Sequence, residues 1–375
     1  MESSVRKNKL KIILAGSMLA SLLLSGCGAG AGGGPKPSVP VPVPPTPGEV
    51  WTLAPPAEVG MHAETLNKAV STLPVASQHQ LSSMVVLRHG KPVLEQYWNG
   101  FDKDTLHDMR SATKSITSLM VGIAIDKGML ESEAAPMRQH LEAAYRGAPA
   151  LAQDISLKDL LTMSSGLDCN DWDMSSKGNE EYMYPKADWV DFFVKLPATA
   201  SGKVTRYCTA GVVTLGRIVA EASKQKIPEF SSRYLFAPLG ISHARWDSFD
   251  QQRQTDTGGH LHMRPRDMAK VGQLVLQKGM WDGEQIVSSA WIARSTGKHT
   301  MMGKSDQYGY LWWIRKITTV TRSYDAVYAQ GNGGQYIIVI PELDMVAVFT
   351  GENYNNSGGE IAFTQLSSYV LPSVM

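Results

Sequence analysis

A serine and a lysine three positions apart, in the stretch MRSATKSITSLMVGIAIDKG at residues 109–128, are the first candidates for chemistry. Apolar residues recur behind them at helical spacing and Gly128 is a natural C-cap, which predicts an amphipathic helix that begins near Ser111. Positions i and i+3 share a helix face, so Ser111 and Lys114 would point the same way. A hydroxyl beside an amine is a candidate nucleophile with its base. The free N–H groups of a first helical turn favour negative charge nearby.

The S-x-x-K tetrapeptide is weak evidence by itself. It also occurs as SVRK at residues 4–7, in a segment that does not belong to the fold. Serine is a preferred helix N-cap, so the competing interpretation is that Ser111 caps the helix and Lys114 is a solvated surface charge. The catalytic interpretation therefore requires further groups, and elements that bring them to this serine.

Strand and helix patterns divide residues 51–375 into a sheet part and a helical part. A β-hairpin signal comes early, and short β-rich runs separated by Gly, Asn and Pro turns come late, as in an antiparallel meander. We predict an α/β fold, with an antiparallel sheet from about 51–110 and 251–375 flanked by helices, and an inserted, mostly helical region at about 111–250. The two parts would form a cleft.

The N-terminal segment, residues 1–27, is typical of an export signal, because basic residues precede an apolar run too short to span a bilayer comfortably. Its end, LLSGC, resembles the bacterial lipoprotein signal. That resemblance implies a lipid on Cys27 and, with Gly28 next, sorting to the outer membrane. The alternative is an ordinary signal peptide with a stray cysteine. Residues 28–50, a Gly block and then a Pro block, predict a semi-extended linker.

Charge and motifs exclude several classes of function. The chain has 36 Lys+Arg against 35 Asp+Glu, with no long basic block, so we expect no nucleic-acid partner. It contains no H-E-x-x-H, no P-loop and no G-x-S-x-G elbow, which argues against zincins, nucleotide hydrolases and α/β-hydrolases. We expect neither a metal nor an organic cofactor.

Two cysteines lie in the body of the chain, Cys169 and Cys208. A chain exported to an oxidising compartment favours a disulfide between them, which we predict. The alternative is two unpaired buried cysteines, because their distance cannot be inferred from the sequence.

Several ordered motifs resemble one superfamily of serine hydrolases. They include RSATKSITSLMVGIAIDKG, LLTMSSGLD, GRIVAEASKQKIPEFSSRYLFAPLGI, RPRDMAKVGQLVL and GNGGQYIIVIPELDMVAVFTG. Together they are similar to the β-lactamase and penicillin-binding-protein superfamily, and above all to class C β-lactamase-like esterases and 6-aminohexanoate-dimer hydrolases. The resemblance covers nearly all of residues 51–370.

The resemblance implies a role for three side chains. Ser111 would be the nucleophile that forms an acyl-enzyme, and Lys114 the base or proton relay beside it. The second family motif, a Tyr followed two positions later by Asn or Ser, matches YCT, so Tyr207 would shuttle protons to Ser111 or the leaving group. Thr209 stands where the family has a polar substrate contact, and Thr in place of Asn weakens a β-lactam assignment. Which of Lys114 and Tyr207 is the general base stays open.

The third family motif, K-T-G or H-x-G, aligns with Ala329-Gln330-Gly331. The backbone N–H groups of Asn332 and Ser111 would then form the oxyanion hole. The missing Lys or His favours esters or amides that lack a carboxylate near the scissile bond. A Gly-rich hairpin turn without catalytic duty is the competing interpretation.

Histidines and tryptophans near these motifs are weaker candidates. The segment TGGHLHMRPRDMA resembles a loop that approaches the cleft in this family, which makes His260 or His262 a candidate substrate contact, although surface histidines are common. For Trp312 and Trp313, packing of sheet against helix is the favoured interpretation.

Together these features predict a periplasm-facing envelope lipoprotein, anchored in the membrane through Cys27, that hydrolyses a small ester or amide through an acyl-Ser111 intermediate. A β-lactamase or D-alanyl-D-alanine carboxypeptidase is the alternative among enzymes. A binding or sensing lipoprotein without turnover is the alternative outside them.

Overall fold

The computed structural model describes residues 52–73, 79–248, 254–303 and 305–375. The predicted signal, the predicted lipidation site Cys27 and the predicted linker lie outside the described residues. The described part belongs to one unit of the chain, Pro45–Met375. No helix in these ranges combines the length and the apolar character needed to cross a membrane.

An antiparallel sheet forms the centre of the described residues. Its eight strands run in the order β2-β1-β13-β12-β11-β10-β9-β8. Their bounds are β1 Leu81–Arg88, β2 Lys91–Tyr97, β8 Thr300–Met302, β9 Asp306–Tyr308, β10 Trp313–Thr318, β11 Ser323–Gly331, β12 Gln335–Ile340 and β13 Met345–Gly351. The early hairpin joins the late meander through β1 and β13, where Val85 pairs with Val348. This arrangement confirms the predicted antiparallel sheet built from both ends of the body.

Burial explains why the central strands form here. Every residue of β12 and β13 is buried, and their sequences QYIIVI and MVAVFTG are rich in β-branched side chains that pack well on a pleated surface. A helix, Pro265–Leu276, lies against them. A Cβ on its Gly272 would stand 2.5 Å from Val346, so glycine is what lets this helix approach the sheet closely.

The remaining short strands form smaller sheets. They are β3 His107–Asp108, β4 Ala244–Trp246, β5 Leu261–Met263, β6 Met280–Trp281 and β7 Glu284–Gln285. The order β3-β5-β4 joins three of them. Because β4 precedes residue 251, strand structure resumes earlier than the predicted start of the second sheet segment. Three residues are too few for an alternating pattern, which is why β4 gives little signal in the sequence.

Helices fill most of the region between β3 and β4. In chain order through the described residues, the helices are α1 Ala63–Ser71, α2 Thr113–Asp126, α3 Arg138–Tyr145, α4 Leu157–Leu161, α5 Glu180–Met183, α6 Trp189–Val194, α7 Thr209–Ser223, α8 Ile227–Ser231, α9 Pro265–Leu276, α10 Ser289–Ser295 and α11 Ile361–Gln365. Helix α2 packs against α7 and touches β11. It therefore lies between the helical part and the sheet.

Helix α2 differs from the prediction in two respects. It is buried on every side from Thr113 to Ala124, so it is a central helix and not an amphipathic one. It also begins two residues later than predicted, because Ser111 lies in the 3-10 turn Arg110–Ala112 that precedes it. The helix ends before Gly128, whose φ of 68° is the left-handed conformation expected of a C-cap glycine.

Candidate active site

Ser111 lies on a tight turn between β3 and α2. The residue before it, Arg110, has a φ of 47°, a left-handed conformation that is uncommon for a residue other than glycine. The backbone N–H of Arg110 donates to Asp108 Oδ1 at 2.9 Å and so supports this turn. Ser111 itself is half-buried, which leaves part of its surface accessible to a small molecule.

Lys114 is buried and points at Ser111, as the S-x-x-K spacing predicts. Its Nζ donates to Ser111 Oγ at 3.0 Å and to the carbonyl oxygen of Gly258 at 2.5 Å, and its side chain is only 1% exposed. The Gly258 N–H in turn donates to Asp256 Oδ1 at 2.9 Å. This geometry excludes the interpretation of Lys114 as a solvated surface charge.

Tyr207 reaches the same point from nearly a hundred residues further along the chain. It lies two residues before α7, is 7% exposed, and its hydroxyl is near enough to Ser111 for that side chain to lower the pKa of Tyr207. The Lys114 Nζ lies 5.0 Å from the centroid of its ring. The structure therefore brings Ser111, Lys114 and Tyr207 into one cluster.

The protonation states of Lys114 and Tyr207 follow from their surroundings. Burial by itself lowers the pKa of Lys114, but the nearby Tyr207, Glu180 and Asp171 outweigh it and leave that pKa above its ordinary value. Burial raises the pKa of Tyr207, and the Lys114 charge offsets only part of the rise. The charged forms of the two groups, an ammonium and a phenolate, therefore stabilise each other, and burial opposes both.

Two acidic residues, absent from the predicted site, support the Tyr207 segment. Asp171 Oδ2 accepts the Thr209 N–H at 2.7 Å, and Glu180 Oε2 accepts the Thr209 hydroxyl at 2.8 Å. The backbone N–H of Glu180 donates to Asp171 Oδ1 at 3.0 Å, which joins the Asp171 carboxylate to the start of α5. Burial, followed by the Glu180 charge, raises the pKa of Asp171 to about 7.

Thr209 is held by these two acids. It is buried, and both its backbone N–H and its hydroxyl are used by Asp171 and Glu180. The structure therefore assigns this side chain to the support of the Tyr207 segment. Its predicted contact with a substrate stays a prediction.

A disulfide joins Cys169 to Cys208, with Cα atoms 5.4 Å apart. Cys208 is adjacent to Tyr207 and is the N-cap of α7, where its Sγ accepts the Gly211 N–H at 3.3 Å. The Asp171 N–H also donates to the Tyr207 carbonyl oxygen at 2.8 Å. The loop that starts at Cys169 is thereby fastened to the segment that carries the phenol.

The end of β11 touches the Ser111 turn. A Cβ on Gly331 would lie 2.1 Å from the Met109 carbonyl oxygen and 3.1 Å from the Ala112 nitrogen, so only glycine fits there. Asn332 follows directly, and its side chain exchanges two hydrogen bonds with Asn355, at 2.7 and 2.9 Å. The aligned third motif thus lies beside the turn that carries Ser111, while the Asn332 side chain supports a neighbouring loop.

The two candidate histidines are both paired with carboxylates. His260 Nδ1 lies 2.8 Å from Asp108 Oδ2, and His262 Nε2 lies 2.9 Å from Asp247 Oδ2. Burial lowers the pKa of His260, but the hydrogen bond to Asp108 together with the charges of Asp108 and Asp256 outweighs this and leaves the pKa raised. Asp108 also accepts the Arg110 N–H, so it links His260 to the turn that carries Ser111. Within the described ranges, no group of three His, Cys, Asp or Glu side chains is arranged to hold a metal ion.

Two tryptophan rings stack with the ring of Tyr207. Its ring stacks with Trp172 at 5.2 Å and with Trp313 at 6.0 Å between centroids. Trp312 is fully buried, as expected for a packing residue, whereas Trp313 also contacts the candidate catalytic tyrosine. The predicted site did not include Trp172, because a lone Trp in a polar loop gives no signal in the sequence.

Comparison with known proteins identifies the family and the fold of the chain. The beta-lactamase family model matches residues 66–366. The chain is 25% identical over 322 residues to a 6-aminohexanoate-dimer hydrolase from Paenarthrobacter ureafaciens, with 79% of each chain covered.

Solved structures with the same fold come from distant relatives. A class C beta-lactamase from Rhodobacter sphaeroides aligns with a TM-score of 0.62 and 16% identity, covering 82% of this chain and 100% of that one. An octameric penicillin-binding protein homologue from Pyrococcus abyssi aligns with a TM-score of 0.65 and 17% identity, covering 84% of this chain and 78% of the other. Given the length of the family match and the shared fold, the chain belongs to the beta-lactamase family of serine hydrolases.

Proposed function

We propose that this protein hydrolyses a small ester or amide through an acyl-Ser111 intermediate. The observation that carries the proposal is the contact of Lys114 Nζ with Ser111 Oγ at 3.0 Å, in a cluster with the Tyr207 hydroxyl. A serine hydroxyl is a poor nucleophile until a neighbouring base takes its proton. Here two groups that can exchange a proton adjoin the same hydroxyl.

In the first step, Ser111 Oγ attacks the scissile carbonyl carbon while its proton passes to the phenolate oxygen of Tyr207, which has first lost its own proton to solvent. The tetrahedral intermediate then collapses, the bond to the leaving alcohol or amine breaks, and that proton is returned to the leaving group. In the second step water attacks the acyl-enzyme with the same proton path, which releases the acid and restores Ser111. One water is consumed and no other co-reactant is needed.

We assign the role of base to Tyr207 and an electrostatic role to Lys114. The acidic groups around Lys114 favour its charged form, and a charged ammonium has no lone pair with which to accept a proton. Its charge next to the Tyr207 ring would instead stabilise the phenolate form of Tyr207, which accepts the serine proton. The tight contact of Gly331 with the turn supports a further part of the proposal, an oxyanion hole made by the Ser111 and Asn332 N–H groups.

The substrate class is narrowed by what the third motif contains. Ala329 stands where the K-T-G or H-x-G motif of the superfamily carries its cation, so we favour substrates without a carboxylate beside the scissile bond. The relative from Paenarthrobacter ureafaciens is named a 6-aminohexanoate-dimer hydrolase. A linear amide therefore belongs in the substrate panel next to simple esters.

A fluorophosphonate probe with an intact-mass readout tests the proposal. We expect one adduct on the wild type and none on Ser111→Ala. Absence of an adduct on the folded wild type would favour a binding protein without turnover, and an adduct on Ser111→Ala would move the nucleophile elsewhere. In a panel of short nitrophenyl esters, linear amides, a penicillin and a D-alanyl-D-alanine peptide, fast turnover of the last two alone would favour the β-lactamase or carboxypeptidase alternative.

We further propose that Cys27 carries a lipid that anchors the protein in the cell envelope, facing the periplasm and in the outer membrane. The support is the LLSGC sequence followed by a Gly/Pro linker long enough to hold the enzyme away from the bilayer. Mass spectrometry of the N-terminal peptide should find a lipidated cysteine, and Cys27→Ala should release the protein from washed membranes. A mature chain that retains residues 1–26 would contradict this assignment.

A further inference from the structure

The aromatic stack beside the catalytic cluster consists of Trp172, Tyr207 and Trp313. The Trp172 and Tyr207 rings are almost parallel, at 6°, with centroids 5.2 Å apart. Trp313 lies at 28° to Tyr207 and 6.0 Å away, and at 26° to Trp172 and 6.4 Å away. All three rings therefore face one another at the distances of offset stacking.

The members of the stack differ sharply in exposure. Tyr207 is 7% exposed and Trp313 9%, whereas Trp172 is 58% exposed. A tryptophan left in solvent forgoes much of the stabilisation that its burial would supply, so the stability of the fold does not account for its position. Most of the apolar surface that the stack offers to a ligand belongs to Trp172.

The loop that carries Trp172 is held in place. Its neighbour Asp171 donates its N–H to the Tyr207 carbonyl oxygen at 2.8 Å, and the Trp172 N–H donates to Asn170 Oδ1 at 3.1 Å. The Cys169–Cys208 disulfide fastens the same loop beside Tyr207. An exposed indole on a fastened loop is a preformed surface, which loses little conformational entropy when a ligand binds.

We infer that Trp172 determines specificity by stacking with an aromatic or extended apolar group of the substrate. The inference rests on the proposed function and narrows it to esters or amides whose acyl group carries an aryl ring or an alkyl chain. Because the indole adjoins the ring of Tyr207, a group stacked on it lies within reach of a carbonyl at Ser111. A substrate with only an acetyl group is too short to use this surface.

Three methyl esters, whose leaving group carries no ring, test the inference: acetate, hexanoate and phenylacetate. For Trp172→Ala we expect the KM of phenylacetate to rise about tenfold and that of hexanoate several-fold, with the kinetics of acetate little changed. Trp172→Phe keeps a ring and should restore most of the preference for phenylacetate. Met174→Ala is the matched control, because Met174 is 59% exposed on the same loop and is not a member of the stack.

Other outcomes would overturn the inference. If kcat of Trp172→Ala falls equally for all three esters, Trp172 only supports Tyr207. If Met174→Ala loses the preference for phenylacetate to the same extent, the preference belongs to the loop as a whole and not to Trp172. The fluorophosphonate adduct on Ser111 separates the two proposals. If the wild type forms the adduct but shows no preference among the esters, the inference on Trp172 fails alone; without the adduct, the proposed function fails first.

Discussion

The catalytic cluster has two sides that are built differently. The sheet side consists of the Arg110–Ala112 turn, helix α2 and the end of β11 at Gly331. The loop side consists of residues 169–184 and the segment 207–209. On the sheet side, regular elements and a glycine contact position Ser111 and Lys114. On the loop side, a disulfide, two carboxyl groups and an aromatic stack position Tyr207.

This difference suggests a division of labour. The sheet side consists of mostly buried, regular elements. It can therefore hold the Ser111 nucleophile and the Lys114 charge at a fixed distance from each other. The loop side carries exposed residues such as Trp172 and holds the Tyr207 segment through hydrogen bonds to Thr209. Loops on a rigid scaffold are where substrate preference can change without disturbing the core. The following changes test whether the two sides are in fact separable.

The largest effect should come from Tyr207→Phe, which removes a hydroxyl and keeps the ring of the stack. We expect kcat/KM for a nitrophenyl ester to fall about 10³-fold, because general acid–base catalysis contributes roughly 10²–10⁴-fold. Steady-state kinetics measures this loss. Tyr182→Phe is the control, because Tyr182 lies in α5 on the loop side and its ring is exposed. Activity within tenfold of the wild type would leave Lys114 as the base.

Loss of the cystine should be the next largest effect, and it acts on the loop side. For Cys169→Ala combined with Cys208→Ser, we expect the free energy of unfolding to fall by about 3–4 kcal/mol, since the bridge closes a loop with a sequence separation of 39. Serine at 208 keeps an acceptor for the Gly211 N–H at the start of α7. Denaturant titration of the double variant against the wild type is the measurement, and unchanged stability would contradict it.

A smaller effect is expected on the sheet side from Gly331→Ala. The new methyl group would meet the Met109 carbonyl oxygen, and overpacking of this kind costs about 1–3 kcal/mol. Gly211→Ala is the matched control, because a Cβ there makes only ordinary contacts at 3.5 Å or more within α7. That control should be neutral or stabilising. If both variants behave alike in thermal unfolding, β11 is not pressed against the Ser111 turn.

The smallest effect concerns the pH dependence of stability. The pKa of Asp171 is raised from 3.8 to about 7 in the folded protein, so between these values the folded state binds a proton that the unfolded chain has released. The contribution of Asp171 to stability therefore declines as the pH rises from about 4 to about 7. Between pH 4.5 and pH 8, the Tm of Asp171→Asn should therefore fall by less than the Tm of the wild type.

The control for that comparison is Asp173→Asn. Asp173 lies on the same loop but is fully exposed, and hydrogen bonds from Ser175 hold its pKa below the ordinary value. Its replacement should leave the decline in Tm between the two pH values unchanged. If the Tm of Asp171→Asn declines as much as that of the wild type, the pKa of the Asp171 carboxyl group is not raised in the folded protein.

Most of the sheet side could be predicted from the sequence. Alternating and β-branched runs mark β11, β12 and β13, and helical spacing with a C-cap glycine marks α2. The i, i+3 spacing of Ser111 and Lys114 predicts that the two side chains point the same way. The order of the family motifs then identifies Tyr207 as the third member of the site. Local pattern suffices here because these residues lie on regular elements or next to them.

The loop side could not be predicted to the same extent. Asp171 and Glu180 stand in a polar stretch, CNDWDMSSKGNEEYMYP, that is typical of a solvated loop. Their contact with Thr209 exists only because the chain folds back over more than twenty-five residues. The exposure of Trp172 and the complete burial of α2 are likewise tertiary properties. Only the Cys169–Cys208 pair indicated that this loop returns to the Tyr207 segment.

The cystine next to Tyr207 also has a consequence for how the enzyme matures. A newly made chain with free thiols holds its nucleophile in place through helix α2, but the covalent tie beside the phenol forms only after oxidation. Full catalytic competence would thus be acquired late, after synthesis, and in an environment that oxidises thiols. Protein produced in a reducing cytoplasm should accordingly gain activity on exposure to an oxidant, without any change in its primary structure.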